Sequence, residues 1–490
     1  MSPKYRSLQA IQAAIANRQT NCSILVEHYL GKIAASGHLN AYVEVFTEEA
    51  IARARELDEK YRTDPSSVGR LFGMVVSIKD VICYRGHQVN AASKMLEGFE
   101  SLYSATVVER LLAEDAIIIG RVNCDEFAMG STTENSAHGP TRNAADPERV
   151  PGGSSGGSAV AIQTDTCLIS IGSDTGGSVR QPAAFCGVTG FKPTYGRISR
   201  HGLIAYASSF DQIGILGHSP EDIALVLSVI AGPDEYDATA LPDPPPAFSF
   251  SSQKEGKPEP KRIAFIEETL THPGLDPAIR QMTVDYLKSL EAEGHQLVPV
   301  HFFYLDFLIP AYYVLTTAEA STNLSRYDGV RFGHRSEQAG NVEEVFKLSR
   351  TEGFGTEVKR RIMLGTFVLS AGFYDAYYAK AQKARRLIAQ RVEEILKDCD
   401  LLAMPATPEV APKLGELTAD PVKMYLSDIY TVLANLCGIP AISILIGKHP
   451  EGLPVGIQFM AGKGKDVELL IFTEEFLSAD RQGGTEELRN

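Results

Sequence analysis

The sequence lacks the features of a membrane, secreted or zinc-binding protein. No apolar run among its 490 residues approaches the roughly 20 that a membrane helix needs. The first twenty residues lack the apolar core of a signal peptide, so we expect a cytoplasmic protein. The seven cysteines include no Cys-x-x-Cys pair, which argues against a disulfide framework and a zinc site and predicts buried thiols.

Positive charge is also scarce. The chain has 47 Lys and Arg residues against 61 Asp and Glu residues, which gives a formal net charge of −14. An acidic surface repels the phosphate backbone of nucleic acids. We therefore expect that the chain does not bind nucleic acid directly, and that any activity on nucleic acid would require a partner protein.

Apolar runs that alternate with helical patterns predict an α/β fold. Runs typical of buried strands occur at 73–83 (GMVVSIKDVIC), 116–120 (AIIIG) and 167–172 (CLISIG), with helices between them. Strand, helix and strand in this order form a parallel crossover unit. Two further helices are expected within the first 35 residues.

Local signals predict where some elements begin and end. Thr47 and Ser104 are candidate N-caps of helices. Asp420, followed by a proline, predicts the start of a helix that runs through about Leu436. Segment 241–262 is rich in Pro, Ser and charge, so we expect it to be a surface linker within the domain.

Three polar stretches carry the candidate chemistry. They are SIKD with Lys79, PGGSSGGSA with Ser154 and Ser155, and DTGGSVR with Ser178. Residues 152–156 fit the nucleophile elbow G-x-S-x-G, but no strand precedes them, and no Gly-Lys-Ser/Thr completes a phosphate-binding loop. Taken alone, this Gly/Ser cluster favours a tight turn.

Ser178 is the better candidate nucleophile. It follows a strand and precedes a helical pattern, so a strand-to-helix turn would raise its Oγ while the preceding amides point together as an oxyanion hole. Glycine at 176 and 177 leaves room for a carbonyl oxygen. The alternative is that Ser178 only caps its helix.

Lys79 is a candidate base because no histidine lies in a comparable position. It ends an apolar strand, so burial would disfavour its ammonium and lower its pKa. A neutral lysine can accept a proton. The alternative is a buried lysine paired with Asp80 or another acid.

Together, the three stretches resemble the amidase signature family. The shared pattern is a lysine after an apolar strand, then Gly-Gly-Ser-Ser-Gly-Gly, then Asp-x-Gly-Gly-Ser-x-Arg, with Ser178 lying 24 positions after Ser154. The resemblance implies that Ser178 is the nucleophile and that Lys79 acts through Ser154, which follows a cis peptide bond. The family's oxyanion hole corresponds to the backbone amides of Thr175, Gly176, Gly177 and Ser178. The implied fold is one domain over residues 1–490, a large twisted mixed β-sheet with helices on both faces.

Later stretches narrow the resemblance to one branch of this family, the A subunits of tRNA-dependent amidotransferases. They are EASTNLSRYDGVRFG (319–333), SRTEGFGTEVKRRIMLGTFVLSAGFYDAYY (349–378) and DPVKMYLSDIYT (420–431). Such a subunit hydrolyses glutamine and passes ammonia to a B subunit, in a heterotrimer with a C subunit. The B subunit holds the misacylated tRNA, Glu-tRNA(Gln) or Asp-tRNA(Asn), and activates it with ATP and Mg²⁺. The chain itself is then expected to need neither a cofactor nor a metal.

A glutamine substrate requires partners for its carboxylate and its ammonium group. By the resemblance these partners are Arg361 and Asp428, whereas the bare sequence would make both of them exposed charges. The resemblance also places Tyr312, Gly130 and Ser131 at neighbouring positions of the pocket.

Two other functions stay open from the sequence. One is a free-standing amidase that acts on another small amide, and the other is a non-catalytic assembly subunit with a vestigial site. The chain also departs from the family pattern at Val81, where Asn is more usual, and at Cys124, where Met is more usual. Neither departure touches Lys79, Ser154 or Ser178.

Overall fold

The computed structural model describes residues 6–245, 259–418 and 420–482, and in these ranges eleven strands form one sheet. The strands are β1 (Tyr42–Val45), β2 (Val75–Lys79), β3 (Ile117–Val122), β4 (Ile169–Asp174), β5 (Thr189–Lys192), β6 (Gln212–Gly217), β7 (Arg262–Ile266), β8 (Gln296–Val300), β9 (Leu401–Pro405), β10 (Ala441–Lys448) and β11 (Pro454–Ala461).

The sheet is mixed, with the order β1-β3-β2-β4-β6-β5-β10-β11-β9-β7-β8. Strand β2 runs parallel to β3 and β4, and β7 runs parallel to β8 and β9. All other neighbouring strands are antiparallel. The prediction of an α/β fold with a large mixed sheet is confirmed.

Sixteen α-helices surround the sheet in the described ranges. They are α1 (Leu8–Ala16), α2 (Cys22–Ala35), α3 (Thr47–Thr63), α4 (Thr106–Ala113), α5 (Gly156–Gln163), α6 (Arg180–Cys186), α7 (Pro220–Ile230), α8 (Glu267–Thr271), α9 (Pro277–Ala292), α10 (Leu305–Asn323), α11 (Val342–Gly353), α12 (Thr356–Leu369), α13 (Ala379–Asp398), α14 (Pro421–Leu426), α15 (Val432–Cys437) and α16 (Asp466–Gln482).

The central strands are buried along their whole length. Every residue of β2, β3, β4 and β6 is buried, because their apolar side chains are covered on both faces of the sheet. Helix α5 packs on β2 and β4, α7 packs on β6, and α6 packs on β10 and β11. As a result, the carboxyl ends of the adjacent strands β2 and β4 lie in an enclosed interior.

Three predicted helix boundaries were wrong. Ser104 does not cap α4, because its hydroxyl accepts a hydrogen bond from the Arg85 N–H (3.2 Å). Thr47 is the first residue of α3 and makes no capping hydrogen bond. Asp420 does cap a helix, but this helix ends at Leu426 and a turn separates it from α15.

The structure tests the predictions for the surface linker and for the cysteines in part. Residues 246–258 of the segment 241–262 lie outside the described residues, and β7 already begins at Arg262. Six of the seven cysteines are buried and Cys437 is half-buried, and all are free thiols. In the described part of the chain, no helix combines the length and apolarity needed to cross a membrane.

Candidate active site

Lys79 lies at the end of β2 and is fully buried. Its Nζ donates hydrogen bonds to Ser154 Oγ (2.8 Å), Ser155 Oγ (2.9 Å) and Ser173 Oγ (2.9 Å). Burial lowers the pKa of Lys79 to about 8, because removal from water disfavours the ammonium form. At pH 7 about a tenth of the molecules then carry a neutral Lys79, far more than for a lysine in water.

Asp80 does not pair with Lys79, so that alternative is wrong. Its carboxylate forms an ion pair with Arg121 and accepts the backbone N–H groups of Asn90 (3.0 Å) and Ala92 (2.8 Å). These contacts hold the Asp80 carboxylate away from Lys79, whose amine bonds to the three serine hydroxyls instead.

Ser154 lies in a tightly held loop before α5. The Gly153–Ser154 peptide bond is cis, as the resemblance implied. The Gly153 N–H donates to Gln181 Oε1 (2.9 Å), and the Ser155 N–H donates to the carbonyl oxygen of Ser178 (3.0 Å). These bonds join the Ser154 loop directly to the turn that carries Ser178.

Ser178 lies in the turn between β4 and α6, as predicted. The N-cap of α6 is Val179 and has no side-chain capping bond, so the interpretation of Ser178 as a helix cap is wrong. Among the described residues no hydrogen bond to Ser178 Oγ is formed, and Ser178 is 8% exposed. The hydroxyl is thus free to approach a substrate.

The Gly176-Gly177 pair packs against two side chains that would exclude any Cβ atom. A Cβ on Gly176 would collide with the Tyr312 hydroxyl, and one on Gly177 would collide with Thr431. Gly177 also has a φ of 127°, which disfavours other residues. Its N–H donates to Asp174 Oδ1 (2.9 Å), so this amide of the predicted oxyanion hole is already occupied.

Asp174 and Arg180 form a buried ion pair beneath this turn (3.1 Å). Burial alone would raise the pKa of Asp174, but the Arg180 charge outweighs it and holds this pKa at about 2. Arg180 also donates to Asn435 Oδ1 (2.8 Å) and Gln458 Oε1 (2.8 Å). Sequence reasoning did not assign these residues, although the Asp-x-Gly-Gly-Ser-x-Arg spacing contains the first two.

Arg361 projects from α12 into the interior and is 2% exposed, so its interpretation as a solvated charge was wrong. Its Nε donates to Glu357 Oε1 (2.9 Å) and its Nη1 to the Tyr206 hydroxyl (3.0 Å). Its Nη2 is buried and has no hydrogen-bond partner among the described residues. A buried guanidinium nitrogen without a partner is costly, so this atom is a ready donor for an anion.

Three tyrosine rings surround the Arg361 guanidinium. Its central carbon lies 5.6 Å from the ring centre of Tyr206, 5.2 Å from that of Tyr313 and 5.6 Å from that of Tyr425. Tyr425 also donates its hydroxyl to Glu357 Oε1 (3.0 Å). The sequence predicted a role for none of these residues, because each fits the pattern of an ordinary core residue. Only the packing of the helices brings them around Arg361.

Asp428 lies in the turn between α14 and α15 and is 7% exposed, which corrects the expectation of an exposed helix acid. It accepts hydrogen bonds from Ser131 Oγ (2.8 Å) and from the Tyr313 hydroxyl (3.0 Å). Burial raises the pKa of Asp428 to about 7, against the opposing effect of these bonds and of the Arg361 charge. Tyr313 therefore contacts both Arg361 and Asp428.

The remaining predicted positions are connected to these residues by direct contacts. Ser131 links Asp428 to the Ser154 loop through Gln181. Its hydroxyl donates to Asp428, its carbonyl oxygen accepts a hydrogen bond from Gln181 Nε2 (2.9 Å), and Gln181 Oε1 accepts the Gly153 N–H. The Tyr312 hydroxyl borders Gly176. Gly130 contacts the Asp125 carboxyl, which would collide with a Cβ there, so the structure gives Gly130 a packing role.

The described residues contain no group of three or more His, Cys, Asp or Glu side chains that could hold a metal ion. The side chains described above are instead a buried lysine surrounded by serines, the Ser178 hydroxyl, and the buried charged groups of Arg361, Glu357 and Asp428. This set is suited to nucleophilic acyl transfer on a small zwitterionic amide.

Comparisons with known proteins agree with this geometry. The family model named Amidase matches residues 24–470. The A subunit of the glutamyl-tRNA(Gln) amidotransferase of Chlorobium luteolum is 48% identical over 467 residues, which cover 95% of this chain and 96% of that protein. The corresponding A subunit from Koribacter versatilis is 47% identical over 93% of this chain and 94% of its own length.

Solved structures show the same likeness. The crystal structure of the glutamyl-tRNA(Gln) amidotransferase A subunit of Thermotoga maritima is 37% identical with a TM-score of 0.74, covering 91% of this chain and 89% of that one. A bacterial aryl acylamidase of the amidase signature family has a TM-score of 0.83 over 99% of this chain and 98% of its own. It is only 19% identical, so that likeness concerns the fold alone.

Proposed function

The chain belongs to the amidase family, and from that premise we propose that it is the glutamine-hydrolysing subunit of a tRNA-dependent amidotransferase. Its relatives at 47 to 48% identity are named as A subunits of glutamyl-tRNA(Gln) amidotransferase. The proposal is that ammonia released here converts Glu-tRNA(Gln), and in some settings Asp-tRNA(Asn), to the amide on a partner subunit.

One observation carries the choice of glutamine. The Arg361 guanidinium, whose Nη2 has no partner among the described residues, and the carboxyl group of Asp428 both contact Tyr313. The neighbouring Tyr312 borders Gly176 in the turn that carries Ser178. The α-carboxylate of glutamine would bind Nη2 and its ammonium group would bind Asp428. The side-chain amide would then lie at the turn that carries Ser178. A simple uncharged amide would leave Arg361 Nη2 without an acceptor and the Asp428 carboxylate without a cation, which is costly in a buried site.

We propose that Lys79 acts as the base through Ser154. Neutral Lys79 Nζ takes the proton of Ser154 Oγ, and Ser154 Oγ takes the proton of Ser178 Oγ. Ser178 Oγ then forms a bond to the amide carbon of glutamine. Lys79 is suited to this step because burial lowers its pKa to about 8 and Ser154 Oγ lies 2.8 Å from Nζ.

The oxyanion of the tetrahedral intermediate would be bound by backbone amides of the 175–178 turn. Because the Gly177 N–H is bonded to Asp174, the donors in this proposal are Thr175, Gly176 and Ser178. Ammonia leaves with a proton returned through Ser154, and an acyl-enzyme remains on Ser178. Water then hydrolyses the ester and releases glutamate.

The proposed activity requires a complex of this chain with other subunits. The relatives' name implies a complex, and we propose a heterotrimer in which a B subunit binds the misacylated tRNA, ATP and Mg²⁺, with a C subunit beside it. The net charge of −14 supports this division, because the chain itself is poorly suited to hold tRNA. Translation takes place in the cytoplasm, which is the proposed location.

The test is ammonia release from glutamine by the chain alone and after co-expression with B and C subunits, with misacylated tRNA and ATP added. We expect release that rises with the partners and their substrates. If the lone chain cleaves simple amides and glutamine stays inert in every mixture, the chain is a free-standing amidase. If a serine-directed probe fails to label Ser178 in the assembled complex, the subunit is non-catalytic.

A further inference from the structure

The outer surface of the α12 to α13 hairpin exposes an unusual number of large apolar side chains. All seven residues of 371–377, which comprise a three-residue turn and most of a π-helical segment that precedes α13, are exposed. Met363 is 73% exposed on the preceding helix. The other exposed large apolar residues of the hairpin are Phe367, Phe373, Tyr374, Tyr377 and Leu387. Isolated exposed apolar residues are normal, whereas a cluster of this kind marks a contact surface.

The aromatic rings of this cluster pack on one another. The ring of Phe367 lies 4.3 Å from that of Phe373 and 5.8 Å from that of Tyr377, measured between centres. Phe373 and Tyr377 are 6.1 Å apart. Mutual packing gives the cluster a defined shape without burying it, so it offers a preformed apolar surface.

The same hairpin is basic although the chain as a whole is acidic. Residues 356–398, from the start of α12 to the end of α13, contain nine Lys and Arg residues and five acidic ones, a net charge of +4 against −14 for the whole sequence. Lys380, Lys383 and Arg386 are exposed, and none of them forms an ion pair with any described residue. Unpaired cations beside an apolar cluster are complementary to an apolar patch with an acidic rim.

The opposite side of α12 faces the proposed glutamine pocket. Arg361 and Glu357 are buried on that side, where α12 packs against α10. Met363 and Phe367 lie on the outer, exposed side of the same helix. A molecule bound to the outer surface would therefore contact the element that holds the substrate carboxylate.

We propose that this aromatic-basic surface, formed by Met363, Phe367, Phe373, Tyr377, Lys380 and Lys383, is where the chain docks onto its partner subunit. The inference rests on the proposed function for the existence of that partner. The occupant is a protein surface with an apolar centre and an acidic rim. RNA is the weaker fit, because Phe367, Phe373 and Tyr377 pack on one another and their ring faces are thereby partly taken, whereas base stacking needs free ring faces.

The test compares three variants in complexes purified with B and C subunits. The first is Met363→Glu combined with Phe373→Ser, and the second is Lys380→Glu combined with Lys383→Glu. The matched control is Leu102→Ser, because Leu102 is 81% exposed but lies in the loop before α4. Assembly is measured by sedimentation, tRNA binding by filter retention, and glutamine hydrolysis on each chain alone.

We expect both double variants to weaken assembly at least about tenfold, while Leu102→Ser assembles normally. Glutamine hydrolysis by the isolated variants should match that of the wild-type chain, which shows that they are folded. Wild-type assembly in both double variants would overturn the docking surface and leave the proposed function intact. Unchanged assembly with lost tRNA binding would also overturn it and assign the surface to RNA. A wild-type chain that neither hydrolyses glutamine nor assembles would overturn the proposed function and this inference together.

Discussion

At the residue scale, the site depends on what surrounds two charged groups. Among the described residues, Lys79 Nζ meets three serine hydroxyls and forms no ion pair, so burial is free to lower its pKa. Asp428 is buried beside hydroxyl donors, and burial raises its pKa. In both cases the environment favours the neutral form. A neutral Lys79 can accept a proton, and in the proposed function Asp428 binds the substrate ammonium group only when it is ionised.

Removing the nucleophile should abolish turnover. We expect Ser178→Ala to lower the rate of ammonia release by at least about a thousandfold, and Lys79→Ala to lower it nearly as much, because the acyl-enzyme cannot form. Ser158→Ala is the matched control, since the Ser158 hydroxyl is buried in α5 and has no hydrogen-bond partner among the described residues. Substantial activity in Ser178→Ala would contradict the assignment.

The pH dependence should separate the two groups. As pH rises toward about 8, more Lys79 becomes neutral, so kcat should rise. As pH falls through about 7, Asp428 becomes protonated, so KM for glutamine should rise. Steady-state kinetics across this range measure both effects. Asp428→Asn should remove the KM dependence and retain the kcat dependence; identical profiles in the two proteins would refute the role of Asp428.

Arg361 should act on substrate binding more than on chemistry. Arg361→Lys loses the planar pair of donors, so KM for glutamine should rise about ten- to a hundredfold with a smaller change in kcat. The control is Arg360→Lys, because Arg360 pairs with the same Glu357 but points outward, and 42% of its side chain is exposed. An unchanged KM in Arg361→Lys would show that another group binds the carboxylate.

At the element scale, the break between α14 and α15 places the pocket acid. The Asp420-Pro421 start signal predicts a helix through about Leu436, and a start signal contains no information on where the helix is interrupted. The Thr431 hydroxyl donates to the carbonyl oxygen of Gly176 (2.7 Å), and Asp428 accepts from Ser131 and Tyr313. These contacts with distant parts of the chain stabilise a turn where a continuous helix would otherwise form. The local sequence could not reveal the turn, because its stabilising partners lie elsewhere in the chain.

The glycine turn should tolerate no side chain. Gly176→Ala would force a Cβ into the Tyr312 hydroxyl, so we expect both loss of glutamine hydrolysis and a lower Tm, measured by calorimetry. Gly31→Ala is the control, because a Cβ at this helical position meets nothing within 4 Å and alanine favours helix. A fully active Gly176→Ala variant would show that the turn can relax away from Tyr312.

At the scale of the whole molecule, one buried ion pair joins distant segments. Arg180 and Asp174 connect β4 and α6 with Asn435 on α15 and Gln458 on β11. The turn that carries Ser178 is thus fixed by residues that are 278 positions apart in the sequence. The same network positions the Gly177 amide through Asp174.

Breaking this network should destabilise the fold. Arg180→Met leaves Asp174 buried without its charge partner, so the free energy of unfolding should fall by about 3 to 5 kcal/mol, measured by denaturant titration. Arg62→Met, which breaks an exposed pair with Glu59, should cost less than about 1 kcal/mol. Equal effects of the two substitutions would mean that Asp174 is neutral in the folded protein.

The amino-acid sequence by itself determined the α/β class, the central strands and the family, and it identified Lys79, Ser154 and Ser178 as candidates. These signals are local, because buried strands are apolar runs and the reactive turns need glycine and serine at fixed spacing. Only the tertiary structure decided the burial of Arg361 and Asp428, the tyrosines around them and the occupied Gly177 amide. Those properties arise from contacts between segments far apart in the chain, and no local pattern records which segments will meet.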